Sequence, residues 1–144
     1  MVIVYEYPNA IRFVPLDGRP QAVDPDPSWM GTSVGRWDGD TLVVETVGLD
    51  ERSWLDQLGR PHSDQMKVTE RWRRLDRDNL ELTFTLDDPK AYAKPWISDR
   101  KVLHLQAKPS PYSELREVIF APADEQRFNT NVRNPAAGLS DPKK

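Results

Sequence analysis

Two strand-forming runs, residues 32–37 and 41–47, are joined by Asp38-Gly39-Asp40, and this junction restricts the fold more than any other stretch. Asp-Gly supplies the positive φ angles that a two-residue hairpin loop demands, and Thr41-Leu42-Val43-Val44 favours extended backbone. An antiparallel hairpin here sets the register of the strands beside it. A second hairpin is expected where residues 65–75 and 80–86 flank Asp76-Arg77-Asp78-Asn79. In its first strand Met66, Val68, Glu70, Trp72 and Arg74 share one face, and Lys67, Thr69, Arg71 and Arg73 share the other. In its second strand Leu80, Leu82, Phe84 and Leu86 alternate with Glu81, Thr83 and Thr85, so each strand has one buried and one wet face.

The rest of the chain supplies short elements around these hairpins. Residues 2–6 and 10–14 predict a further hairpin around Tyr7-Pro8-Asn9, and the proline- and aspartate-rich residues 21–30 form a fixed loop that carries Trp29. Asp50 as a cap, apolar residues at 54, 55 and 58 and a closing Gly59 predict about two turns of helix over 50–59. A loop through Pro61-His62-Ser63 and a second, proline-pinned loop over 87–96 follow. Strands are expected near 100–106 and 115–121, separated by Pro109 and Pro111, with a short helix over 124–131. The 144 residues fit one domain, residues 1–133, followed by a flexible tail over 134–144. The expected architecture is mainly β: an antiparallel meander of about eight strands with one short helix inserted, closing into a lipocalin-like barrel because closure removes exposed edges. The alternative is a two-layer β-sandwich.

Composition removes several classes of function. Twenty basic and 23 acidic residues are interspersed, so no basic face is offered to nucleic acid or to anionic lipid. Apolar runs stop at about five residues against the roughly 20 needed to span a bilayer, and the N-terminus has neither a basic n-region nor a long apolar segment. With no cysteine there is no disulfide, thiolate metal site or cysteine nucleophile. Two histidines without a carboxylate partner at helical spacing leave only oxygen ligands for a metal, and Asp38, Asp40, Asp87 and Asp88 are better explained by turn chemistry. No metal and no cofactor are expected, since no glycine-rich phosphate loop is present either. Ser33, Ser53 and Ser63 lack the pattern of a nucleophile elbow.

Chemistry is therefore sought in buried carboxylates and aromatic rings. Glu45 shares a strand face with Val43 and Val47, and Glu70 with Val68 and Trp72; a desolvated carboxylate on either face would suit proton transfer, with His62 as partner. The plainer reading puts Glu45 on a wet face, or neutralises Glu70 with a buried arginine such as Arg36 or Arg74. His104 reads as structural or exposed. Trp37, Trp72, Tyr92 and Trp96 are candidates for lining a pocket for a partly apolar or aromatic small molecule, and Arg36, Arg71 and Lys94 are candidates for meeting an anionic group on it. Packing accounts for most of the five tryptophans on the plainer reading. The first expectation is a small-molecule-binding barrel. The alternatives are a cofactor-free acid–base enzyme (isomerase, cyclase or hydrolase) using Glu70, Glu45 and His62, and a structural module that pairs through a strand edge.

The run from Trp29 to Thr46, containing Gly35-Arg36-Trp37-Asp38-Gly39-Asp40-Thr41-Leu42-Val43-Val44-Glu45-Thr46, together with Gly59-Arg60-Pro61-His62-Ser63, Val68-Thr69-Glu70-Arg71 and Asp87-Asp88-Pro89-Lys90-Ala91-Tyr92-Ala93-Lys94-Pro95-Trp96, resembles an uncharacterised family of bacterial proteins found in acidobacteria and proteobacteria. The likeness covers roughly residues 1–100. Members generally look exported, so the resemblance implies a periplasmic or secreted location, and it implies no activity.

Overall fold

The computed structural model describes residues 1–5, 10–56 and 58–106, and all structural statements concern these. The strand expected at 115–121, the helix at 124–131, the tail at 134–144 and the domain boundary at 133 lie outside them.

Strands β1 (Val2–Val4) and β2 (Ile11–Phe13) form a small antiparallel sheet. Strands β3 (Thr32–Asp38), β4 (Thr41–Val47), β5 (Lys67–Arg74) and β6 (Asn79–Asp87) pair in sequence order as the antiparallel body of the larger sheet. The far edge of β6 is shared: β7 (Trp96–Ile97) pairs with its end and β8 (Lys101–His104) with its start. The hairpin at Asp38-Gly39-Asp40 forms as expected, with Asp38 opposite Thr41 and Gly39 at φ 63°. β7 is an element that the proline-pinned loop reading missed. Pro95 has no N–H to give to a ladder, but the two residues after it pair with Leu86 and Thr85, and Ser98 extends the contact by exchanging hydrogen bonds with the Phe84 backbone.

Alternation divides the large sheet into two faces. Register places Ser33, Gly35 and Trp37 of β3, Leu42, Val44 and Thr46 of β4, Val68, Glu70 and Trp72 of β5, and Leu82, Phe84 and Leu86 of β6 on one inner face. The small sheet packs there: Val14, just past β2, joins Leu42 and Val44 in the buried core, with Ile3 and Trp72 against it. Val14 and Val44 are 1% and 0% exposed, and each buried valine or leucine contributes about 1.5–3 kcal/mol. On the outer face Val43 is equally buried, set in register between Arg36 and Arg71, whose stems flank it while their charges reach Glu45 and Asp38.

No closed barrel forms among the described residues. The sheet is open there, and one of its outer edges, β3, is partly occupied by the incoming chain: Gly35 N–H donates to Pro15 O at 2.9 Å, and the Gln21 side chain donates to Thr32 O at 3.0 Å. One small sheet on the face of a larger one is compatible with the sandwich alternative.

The helix expected over 50–59 is replaced by consecutive turns. The Asp50 carboxylate accepts the Arg52 N–H at 3.0 Å, and the Asp56 carboxylate accepts the Leu58 N–H at 2.9 Å. Aspartate side chains that bond the backbone two residues on compete with helical hydrogen bonds, and two such turns break the segment twice. The loop then closes on itself through Leu55 N–H donating to Arg60 O at 2.9 Å.

Candidate functional site

Two loops that the sequence leaves far apart, residues 50–64 and 88–96, are fastened to each other at three points. The Asp88 carboxylate, 2% exposed, accepts Ser63 N–H at 2.7 Å and the Ser63 hydroxyl at 2.6 Å. Tyr92 Oη donates to Pro61 O at 2.6 Å, and Lys90 pairs with Asp64 at 2.9 Å. Asp88 also receives the N–H groups of Lys90 and Ala91, so it caps its own turn while holding the other loop. Burial by itself would raise this carboxyl; the Ser63 hydroxyl and the N–H groups of Ser63, Ala91 and Lys90 outweigh it and hold the group below the usual carboxylate range.

The fastened loops enclose a cleft of about 550 Å³ against the end of the inner sheet face. Phe84 and Leu86 form its floor, and Trp96, paired with Leu86 across the β6–β7 ladder, stands edge-on to Phe84 with ring centroids 5.5 Å apart. Tyr92 and Leu55 supply the walls. Asp56, Arg60 and Lys94 edge the opening; Arg60 is paired with Asp56, and Lys94 forms no ion pair with a described residue. Trp96 and Tyr92 keep 54% and 36% of their surface exposed, leaving ring faces open to a ligand.

Register shows which of the residues singled out from the sequence come together. Tyr92, Lys94 and Trp96 do, at the cleft. Trp37 and Trp72 share a different cross-strand row of the inner face with Leu42 and Leu82 between and beside them, and Leu86 lies four residues further along β6, about 13 Å away at roughly 3.3 Å per residue. Trp72 packs on the core, and its indole Nε1 finds no acceptor among the described residues. Arg36, Arg71 and Glu45 lie on the outer face, where Glu45 pairs with Arg36 at 3.2 Å and Lys67 at 3.6 Å.

Glu70 is opposite Val44 and Glu45 is opposite Thr69, so the two carboxylates point to opposite sides of the sheet. Glu70 is neutralised by a buried arginine, but that residue is Arg12 and neither Arg36 nor Arg74. Arg12 reaches Glu70 at 2.6 and 3.1 Å and gives its remaining N–H groups to Ser33, Thr46 and Tyr5. Arg12 carries no sequence signal of this role beyond its place between Ile11 and Phe13 on a short strand, where alternation turns it inward as both neighbours turn out.

His62 lies behind the cleft wall, 6% exposed, with Nε2 2.7 Å from Ser53 Oγ and Nδ1 3.1 Å from Ser63 O. It touches neither Glu45 nor Glu70. Ser53, dismissed for lack of an elbow motif, is brought to it by turns that no motif encodes. Among the described residues no group of three or more histidines and carboxylates is arranged to hold a metal ion, and no helix is long and apolar enough to cross a membrane. Comparison of the chain with protein families, with characterised proteins and with solved structures yields no match, and the function is argued from this geometry alone.

Proposed function

We propose that the protein binds a small molecule in the cleft between residues 50–64 and 88–96, the ligand being a flat, largely apolar ring system that carries one anionic group. The observation that carries this reading is the half-exposed Trp96, held edge-on to Phe84 over an apolar floor, in a cleft whose size falls inside the roughly 300–1,000 Å³ of small-molecule sites. Ring faces at Trp96 and Tyr92 offer stacking area at little entropic cost, because Tyr92 is already tied to Pro61. Lys94 supplies a cation at the opening, whereas the Arg60 charge is engaged by Asp56. Closure of the sheet into a barrel would be a finer version of the same proposal and is not needed for the cleft.

The test is a thermal-shift and titration series with aromatic carboxylates, 2-naphthoate first. Wild type and Trp37→Ala should bind alike, Trp96→Ala should lose about tenfold in affinity, and Lys94→Gln should lose discrimination between naphthoate and naphthalene. Unchanged binding in Trp96→Ala would falsify the assignment of the cleft.

A further inference from the structure

We propose that Ser53 and His62 form a nucleophile–base pair behind the wall of this cleft, and that the protein hydrolyses carboxylic esters whose aromatic part occupies it; the substrate class rests on the cleft being the ligand site. Nucleophilic catalysis by serine requires a base within hydrogen-bond reach and a third group that orients the base. Both conditions are met. Ser53 Oγ is 2.7 Å from His62 Nε2, and His62 Nδ1 faces Ser63 O at 3.1 Å. A carbonyl oxygen only accepts, so the network puts the proton of the neutral ring on Nδ1 and leaves the Nε2 lone pair directed at the serine hydroxyl. Ser63 is itself immobilised by two bonds to the buried Asp88 carboxylate, so the orienting carbonyl is fixed to the opposite loop.

Ser53 Oγ also lies 3.0 Å from Asp50 O. In that contact Ser53 is the donor, so the one hydroxyl proton is shared between Asp50 O and His62 Nε2, of which Nε2 is the nearer. The pair adjoins the cleft through its own chain: Leu55, two residues after Ser53, and Arg60, two residues before His62, both line it, and Pro61 between Arg60 and His62 anchors Tyr92. Ser53 is half-buried and His62 is buried, an arrangement that shields the base from water.

The chemistry closes without any further reagent than water. Ser53 Oγ forms a bond to the ester carbonyl carbon as its proton passes to His62 Nε2, while the other ring proton stays on Nδ1, donated to Ser63 O. The carbon–oxygen bond to the leaving alkoxide then breaks, and Nε2 returns the proton to that oxygen, which departs as an alcohol and leaves acyl-Ser53. Water, losing a proton to Nε2, attacks the acyl carbon, and Ser53 leaves with that proton as the carboxylic acid is released. The acid so formed is an aromatic carboxylate, the ligand class proposed for the cleft.

The full chain is treated with a fluorophosphonate probe and, separately, with 4-nitrophenyl acetate and 4-nitrophenyl 2-naphthoate. The expected results are one phosphonylated residue, identified as Ser53 by peptide mass spectrometry, and turnover that falls by roughly 100-fold or more in Ser53→Ala and in His62→Gln. The naphthoate ester should be preferred over the acetate, with the preference lost in Trp96→Ala. Ser53→Ala should keep the 2-naphthoate affinity of wild type, which shows that its fold is intact. A wild type that binds 2-naphthoate yet is neither labelled nor active, a label on another serine, or turnover equal to wild type in Ser53→Ala overturns the nucleophile–base pair while leaving the binding site standing. Labelled Ser53 with no preference for the aromatic ester overturns the substrate class and the cleft assignment together.

Discussion

Arg12 donates to both carboxylate oxygens of Glu70, at 3.1 Å from Nη1 and 2.6 Å from Nη2, across 58 residues of sequence. This fork joins the small sheet to the large one. The same guanidinium also reaches Ser33, Thr46 and Tyr5, so all five of its N–H donors have partners, and Ser33 and Thr46 are themselves within 2.9 Å of each other. Burial alone would lower the basicity of Arg12, but the hydrogen bonds and charge of Glu70 raise it above its ordinary value. Phe84, on the cleft floor, is the cross-strand neighbour of Glu70. Glu70 therefore stands beside the cleft floor with both oxygens engaged by Arg12.

The core of buried apolar side chains is small and this ion pair spans the two sheets beside it, so stranding either charge there is costly. Glu70→Gln leaves a buried guanidinium without its counter-charge and should destabilise the fold by about 3–5 kcal/mol, as should Arg12→Met for the converse reason. The double change Arg12→Met with Glu70→Leu should cost much less than the sum, since neither charge is then stranded, and the Ser33–Thr46 hydrogen bond can persist. Urea unfolding of the four proteins measures the coupling; additive losses would show that the two side chains do not act as a pair.

The strands and their register were legible because alternation over residues 65–86 and the Asp38-Gly39-Asp40 turn are local signals, complete within a few residues. The site was legible only in part. Tyr92 and Trp96 were picked out as large rings in a proline-rich loop, yet the same criterion picked Trp37, which belongs to another row of the sheet. Arg12 and Ser53 escaped because their roles depend on partners 58 and 9 residues away, through a sheet-to-sheet packing and a pair of aspartate turns that residue spacing does not encode. The helix at 50–59 failed for a related reason: Asp50 reads as a helix cap, and it is the hydrogen bonds that Asp50 and Asp56 each make two residues on that decide for turns.

Acid should open the loops of the cleft before it unfolds the sheet. Asp88 is held below the usual carboxylate range as described, and Asp50 is lowered from 3.8 to about 2, chiefly by its hydrogen bonds to the Arg52 side chain and N–H. A carboxyl with a depressed folded value contributes stability that is fully present above its unfolded value near 3.8 and is lost as pH falls through the folded value. Hydrogen-exchange protection of the Ser63, Lys90 and Ala91 amides, measured relative to the intrinsic rate at each pH, should therefore be full above about pH 4 and fall as the pH drops through the depressed Asp88 value. In Asp88→Asn the same amides should be weakly protected already at pH 7, with little further change on acidification. Protection of these amides in Asp88→Asn equal to that of wild type at pH 7 would count against Asp88 as the clasp.

Gly31 and Gly39 both have positive φ, 61° and 63°, but their surroundings differ. A methyl group at Gly39 would meet nothing within 4 Å, whereas one at Gly31 would lie 2.6 Å from Val47 O and 2.8 Å from Thr46 Cγ2. Gly39→Ala should cost the left-handed backbone penalty alone, about 1–2 kcal/mol. Gly31→Ala adds a clash with main chain that cannot rotate away, and it should lower the melting temperature clearly further. Equal melting temperatures for the two variants would contradict the close approach of residue 31 to the end of β4.

Tyr92 separates the contribution of the clasp to stability from its contribution to the site. Its hydroxyl donates to Pro61 O at 2.6 Å while its ring lines the cleft, so Tyr92→Phe keeps the ring and removes only the tie. The tie is partly exposed, and its loss should cost about 0.5–1.5 kcal/mol, with Asp88 still holding the loops through Ser63. Binding should respond differently. If the hydroxyl pre-orders the wall, Tyr92→Phe should weaken 2-naphthoate several-fold through a larger entropic cost at nearly unchanged enthalpy, because the ring must be ordered when the ligand arrives. Tyr92→Ala removes the stacking surface itself and should lose binding enthalpy as well. Calorimetric titration of the two variants distinguishes these cases, and identical enthalpy losses in both would mean that the ring makes no contact with the ligand.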